Sequence, residues 1–206
     1  MAQMGFYFDN SRCTGCKTCE MSCKDYKDLS ESILFRKVYD FEGGSWTADD
    51  AGGLSTTTFV YHVSAACNHC VSPACQAHCP ADAIIKDEDN GLVHIDEEAC
   101  ISCGDCVEAC PFDVPRMDPI TDLAVKCDGC IARIQDGKKP ICVQACPLRA
   151  LEMDDIEALR AEHGDLWQIP PLPVASTGPC LSIKPSPALD SPALDQGFVA
   201  NELEVA

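Results

Sequence analysis

Apolar positions in this chain come in short runs broken by turn residues, a pattern that predicts strands and one clear helix. Phe6-Tyr-Phe-Asp9 reads as a strand ended by Asn10-Ser11. Phe35-Arg-Lys-Val-Tyr39 and Thr57-Thr-Phe-Val-Tyr-His-Val63 read as two more, and the Gly43-Gly44 and Gly52-Gly53 pairs between them predict an antiparallel insertion. Ala83-Ile-Ile-Lys86 and Leu92-Val-His-Ile95 flank Asn90-Gly91, which signals a hairpin. Ala150-Leu-Glu-Met153 is a further strand, after which Asp154-Asp155 caps a helix over Ile156–His163 that Gly164 ends. Half of the 14 prolines lie between Pro170 and Pro192, so the tail is expected to be extended and to form little core of its own. It reads either as an arm lying across a partner or as a loose terminus. No apolar run reaches 18 residues, so the chain is not expected to span a bilayer by itself.

Composition sharpens this picture. A length of 206 residues suits one domain or two small ones, and only 6% of them are aromatic, so the apolar core is modest and something else must add stability. There are 17 cysteines. Met1-Ala-Gln-Met-Gly5 shows no basic n-region, apolar h-region or twin arginine, so no export signal is visible. Disulfides therefore lose their compartment, and metal coordination becomes the expected use of paired cysteines. The formal net charge is −18, which argues against nucleic acid as a partner because phosphate binding needs a basic face. The acidity reads as a solvated surface.

The cysteines fall into four runs. Cys100-Ile-Ser-Cys103-Gly-Asp-Cys106-Val-Glu-Ala-Cys110-Pro111 has the spacing by which bacterial ferredoxins wrap an iron–sulfur cluster, the fourth thiolate serving a neighbouring cluster. Gly104 suits the tight curl such a loop needs. Cys13, Cys16, Cys19 and Cys23 repeat that spacing, with Lys24 in place of the proline. Cys67, Cys70, Cys75 and Cys79-Pro80 have a longer middle gap. Cys127 and Cys130 are separated by an insertion, Ile131 to Ile141, from Cys142 and Cys146-Pro147. Taken alone, this last run also suits a zinc ribbon.

The repeat suggests a pairing. The second and third runs, joined by the hairpin, make a complete two-cluster unit over residues 67–119. The first run has a strand before it and the fourth a strand after it, so residues 1–25 and 120–165 are expected to close into a second unit. Residues 26–66 would then be the β insertion and 166–206 the tail. The fold class is accordingly α+β, two intertwined ferredoxin-like units. Exchange of fourth ligands groups Cys13, Cys16, Cys19 with Cys146, and Cys67, Cys70, Cys75 with Cys110. It groups Cys100, Cys103, Cys106 with Cys79, and Cys127, Cys130, Cys142 with Cys23. The alternative is that each run of four holds its own cluster.

Other candidates are weaker. His69 and His78 lie inside the second run, but a Rieske centre needs histidines in place of cysteines and none is missing. Arg116, Lys126, Arg133, Lys138 and Lys139 surround the fourth run and serve either to raise a potential, to meet a docking subunit, or to balance surface charge. Cys180 has no companion cysteine and reads as a free thiol. No nucleophile elbow or phosphate-binding glycine loop is present. A radical-type Cys-x3-Cys-x2-Cys triad would need cysteine where Tyr26, Asp82, Asp113 or Arg149 stand. With four cysteines for each cluster no iron is left open, and the expectation is electron transfer without catalysis.

Arg12-Cys-Thr-Gly-Cys-Lys-Thr-Cys-Glu20, Cys67-Asn-His-Cys70 with Cys79-Pro80, Lys126-Cys-Asp-Gly-Cys130, and Gly137-Lys-Lys-Pro-Ile-Cys142 through Cys146-Pro-Leu-Arg-Ala-Leu151 carry a resemblance, which His163-Gly-Asp165 extends. From about Gly5 to about Lys184 the chain resembles the four-cluster iron–sulfur subunits of the complex iron–sulfur molybdoenzymes, nearest the dimethyl sulfoxide reductase type. The resemblance implies a molybdopterin-containing catalytic partner and a membrane anchor that handles quinol. It also implies a relay from the first run's cluster, near the catalytic partner, to the third run's, near the anchor. The protein would be peripheral, held at the membrane through those subunits, on a side the resemblance leaves open. Relatives with a tryptophan in the third run carry a three-iron cluster there. This chain keeps Cys100, Cys103, Cys106 and Cys110, which implies four [4Fe–4S] clusters. The same role in a polysulfide, thiosulfate, formate or hydroxyarene enzyme, or a zinc-bound structural scaffold, are the competing readings.

Overall fold

The computed structural model describes residues 2–205. In chain order the elements are β1 (Met4–Asp9), α1 (Thr18–Tyr26), β2 (Lys37–Gly43), β3 (Trp46–Ala48), β4 (Leu54–Thr56), β5 (Phe59–Ala65) and α2 (Ala74–Ala77). Then come β6 (Ile84–Lys86), β7 (Val93–Ile95), α3 (Asp105–Ala109), β8 (Arg116–Met117), β9 (Ala124–Val125), α4 (Ile131–Gln135) and α5 (Ile141–Ala145). The last elements are β10 (Leu151–Asp155), α6 (Ile156–His163), β11 (Leu181–Lys184), β12 (Phe198–Val199) and α7 (Glu202–Val205). Among the described residues no helix is long and apolar enough to cross a membrane.

Two three-stranded sheets organise the chain. In the first, β1 is central, antiparallel to β10 (Phe8 opposite Leu151) and parallel to β11 (Phe6 opposite Leu181). Successive strand residues point to opposite faces. Phe6 and Phe8 accordingly join the main core while Tyr7, between them, stacks on His163 of α6 at 3.7 Å. Helix α6 starts where the sequence predicts, because the Asp155 carboxylate accepts from the backbone N–H groups of Glu157 and Ala158. In the second sheet β2 pairs antiparallel with β5 and with β12. Phe41, Phe59 and Tyr61 from this sheet lie 5.3–6.1 Å apart in the same core. The few aromatic residues are thus concentrated rather than dispersed. The hairpin of β6 and β7 forms as expected, though Lys86 pairs with Val93 and the turn between them is six residues long.

The tail departs from the expectation of an extended segment with little core. Ile169, Leu172, Leu181, Ile183 and Ala193 are buried in the main core, β11 adds a strand to the first sheet and β12 one to the second. Proline content sets local backbone preference but does not prevent apolar residues between prolines from docking on an open strand edge. Close approach is allowed by Gly5, where a Cβ would lie 2.5 Å from the Cys180 carbonyl oxygen.

Candidate metal centres

Four helices each carry a cysteine with a second four residues on: Cys19 and Cys23 both within α1, Cys106 and Cys142 within α3 and α5 with Cys110 and Cys146 at their ends, and Cys75 within α2 with Cys79 just past its end. That spacing puts both thiols on one face, about one turn (~5.4 Å) apart along the axis. Helix α1 packs on α5, and α2 on α3. Each helix pair therefore offers thiols at two levels. The left-handed Gly104 (φ 80°) opens α3, a backbone turn that a residue without a Cβ makes freely.

The thiols meet in four places. Cys13, Cys16, Cys19 and Cys146 line an opening of about 340 Å³ with Phe8, Val38 and Leu151. Cys67, Cys70, Cys75 and Cys110 line another of about 340 Å³ with Val93 and Val114. Cys79, Cys100, Cys103 and Cys106 line one of about 320 Å³ with Ile84 and Ile95. Cys23, Cys127, Cys130 and Cys142 are all buried, and burial followed by the thiols of Cys127, Cys142 and Cys130 pushes Cys23 strongly upward. We call these the first, second, third and fourth centres, after the run that supplies most of their thiols. Exposed thiols occur only at the first centre (Cys16) and the third (Cys103).

A single zinc ion holds its thiolates about 2.3 Å from one point. Among the described residues no three His, Cys, Asp or Glu side chains converge in that way. The thiols of the first three centres stand instead around cavity walls, an arrangement that suits a multi-iron cluster. Burial pushes Cys13, Cys70 and Cys130 up to about 11 and Cys75 up to about 12. Such groups ionise only when a cationic group arrives to take their charge. Cys16 goes the other way, lowered by hydrogen bonds from the Thr18 side chain and backbone.

Donors to sulfur are already in place. The backbone N–H of Gly129 reaches Cys127 Sγ at 3.4 Å and that of Ala150 reaches Cys146 Sγ at 3.3 Å. Thr177 Oγ1, from the tail, donates to Cys70 Sγ at 3.3 Å. Hydrogen bonds to cluster sulfurs raise a potential by favouring the more negative reduced state. Thr177→Val is therefore expected to lower the midpoint at the second centre by the equivalent of roughly 1 kcal/mol, with the other three unmoved in redox-poised EPR.

Two buried cross-connections join the second and fourth centres. Lys126, adjacent to Cys127, sends its ammonium to Cys67 Sγ at 3.5 Å and to the carbonyls of Val93 and Cys127. His69, from the second run, is fully buried, and its Nδ1 accepts from the Val93 N–H at 2.9 Å. Its Nε2 has no hydrogen-bond partner; burial holds the imidazole below its ordinary pKa while Cys127 works against that. Neither histidine joins a thiol set, since His78 is exposed and bonds the Ala74 carbonyl. The other cations named from sequence are occupied at or near the surface: Arg116 pairs with Asp113, Lys138 with Asp136, Arg133 lies over Tyr26, and Lys139 is exposed. Cys180 is completely buried and pushed up to about 11, chiefly by burial. Sequence reasoning missed Arg36, Ser64 and Thr177. Nothing in their local pattern distinguishes them from ordinary strand or loop residues.

Thiols grouped on paired short helices in this way define an iron–sulfur protein of the 4Fe–4S ferredoxin type. A 4Fe-4S dicluster domain matches residues 58–156 and a 4Fe-4S binding domain matches residues 10–27. The sequence is 49% identical over 205 residues to the B subunit of anaerobic dimethyl sulfoxide reductase from Escherichia coli K12, covering 98% of each. It is 47% identical over 206 residues to the protein of that name from Haemophilus influenzae, covering all of both. The formate dehydrogenase-O iron-sulfur subunit of Escherichia coli K12 is 31% identical over 159 residues, 74% of this chain and 53% of that one. The protein belongs to the family of anaerobic dimethyl sulfoxide reductase B subunits, and it carries multiple 4Fe–4S clusters.

Proposed function

We propose that the chain is the electron-transfer subunit of a dimethyl sulfoxide reductase-type respiratory complex, non-catalytic itself, with four [4Fe–4S] clusters in two intertwined ferredoxin-like units. It would stand between a molybdopterin catalytic subunit and a quinol-oxidising membrane anchor. The ligands of the first to fourth centres are, in turn, Cys13, Cys16, Cys19 and Cys146; Cys67, Cys70, Cys75 and Cys110; Cys79, Cys100, Cys103 and Cys106; and Cys23, Cys127, Cys130 and Cys142. When bound, such fully ligated clusters accept and release single electrons and leave no iron open to substrate.

The observation that carries this reading is the sharing of helices between centres. Helices α1 and α5 each give one thiol to the first centre and one to the fourth, while α2 and α3 each give one to the second and one to the third. Lys126 and His69 bind the fourth to the second. This sharing supports the order first, fourth, second, third for the centres. The two end members are those with an exposed thiol, Cys16 and Cys103, where partner subunits would have to approach. Full-length similarity to the dimethyl sulfoxide reductase subunits favours that type over the formate type, whose match is partial. The test is iron and acid-labile sulfide analysis of anaerobically prepared protein. About sixteen irons and as many sulfides per chain are expected; zinc without sulfide would overturn the reading.

A further inference from the structure

We infer that Arg36 is a charge shared between the first and fourth centres, raising the reduction potential of both, and that Ser64 relays its effect to the first alone. This rests on the ligand sets proposed above. Arg36 precedes β2 and is only 2% exposed. Its Nη1 donates to the Ser64 carbonyl at 3.2 Å and to Ser64 Oγ at 3.1 Å, and its guanidinium lies 4.7 Å from the centre of the Phe6 ring. Its Nε and Nη2 are buried without a hydrogen-bond partner. The thiols that act on its charge most strongly are those of Cys142, Cys19, Cys127 and Cys23. Cys19 belongs to the first centre and the other three to the fourth.

A buried guanidinium with two unpaired N–H edges is costly unless negative charge stands close by. The strongest of the groups that favour its charge are thiols. An iron–sulfur cube held by four thiolates is anionic and gains one more negative charge on reduction, so a fixed cation nearby favours the reduced form. The Ser64 contact adds direction. Because Arg36 donates to Ser64 Oγ, the hydroxyl hydrogen is left to point at Cys19 Sγ, 3.4 Å away. No comparable hydroxyl links Arg36 to Cys23, Cys127 or Cys142 among the described hydrogen bonds. The cation therefore acts on the first centre both through space and through a polarised hydroxyl, and on the fourth through space only.

The measurement is redox-poised EPR on the full chain loaded with its clusters, with signals assigned by the component lost in Cys16→Ser and in Cys130→Ser. In Arg36→Gln, the reduced-to-oxidised ratio at the wild-type midpoint is expected to fall about tenfold at the first and fourth centres, about 59 mV for a one-electron couple. The second and third centres should hold. Ser64→Ala should lower the first centre alone, and Arg36→Lys should keep the fourth near its wild-type value while lowering the first. Equal shifts at all four centres, or none at the first and fourth, overturn the inference. Should Arg36→Gln fail to load, the Ser64→Ala and Arg36→Lys proteins decide the question by the same split. Iron and sulfide content of each sample tests the ligand sets separately: a wild-type protein without clusters sinks the proposed function, whereas loaded samples with unmoved potentials sink only the role of Arg36.

Discussion

Replacing Cys146 with alanine is expected to abolish the first centre, although Cys146 lies 123 residues beyond the end of the first cysteine run (146 − 23). Replacing Cys23, within that run, should instead abolish the fourth. The reason is which thiols line the cavity: Cys13, Cys16 and Cys19 line it together with Cys146, whereas Cys23, one turn beyond Cys19 on α1, stands with Cys127, Cys130 and Cys142. Cys146 fills the vacant corner there because α5 lies against α1. Each variant should drop from about sixteen irons to about twelve and lose one EPR component. In Cys146→Ala that component should be the one also lost in Cys16→Ser; in Cys23→Ala, the one lost in Cys130→Ser. If Cys23→Ala and Cys16→Ser remove the same component, each run holds its own cluster. Interrupted turnover of the assembled complex should accompany both losses, since the proposed relay passes through the first and fourth centres in succession.

What could be read from the amino-acid order follows from how local each signal is. A cysteine spacing of two, two and three residues is a loop leading into a helical turn, so the thiol runs and their strands at Phe6–Asp9 and Ala150–Met153 are visible without tertiary knowledge. The start of α6 is equally local, a carboxylate at Asp155 before an apolar face. Arg36 is different. Its neighbours in sequence, Phe35 and Lys37, say nothing of Cys19 or Cys142, and an arginine in a strand is most simply a surface residue. Its meaning comes from burial and from what the α1–α5 pair brings beside it. Lys126 was visible as one cation of five near the fourth run, but only packing separates it from Lys138 and Lys139, which reach solvent. The tail was misread for a related reason. Proline density is a local property, whereas the edge of β1 that receives β11 is created by residues more than 170 positions earlier, Phe6 opposite Leu181.

Removing residues 166–206 is therefore expected to prevent stable folding rather than trim a loose end. Four large apolar side chains, Ile169, Leu172, Leu181 and Ile183, leave the main core with the tail. Each contributes about 1.5–3 kcal/mol by its burial, and a domain of ordinary stability has only about 5–15 kcal/mol in total. The loss is thus comparable with the whole margin. It also strips β1 of its parallel partner and uncovers the second centre, where Val71 and Ser72 donate backbone hydrogen bonds to Gly178 and Thr177 and where Thr177 reaches Cys70. A cut after Asp190 keeps β11 and those contacts and removes β12 and α7, the packing of Ala193, Leu194 and Val199 on the core, the hydrogen bonds of Asn201 to Val38 and Asp40, and the Glu204–Lys17 ion pair. That shorter deletion should retain all its iron and unfold in urea at a modestly lower midpoint. The longer one should show rapid proteolysis and little bound iron. Equal stability of the two truncated proteins would mean that β11 is dispensable and that the first sheet closes on β1 and β10 alone.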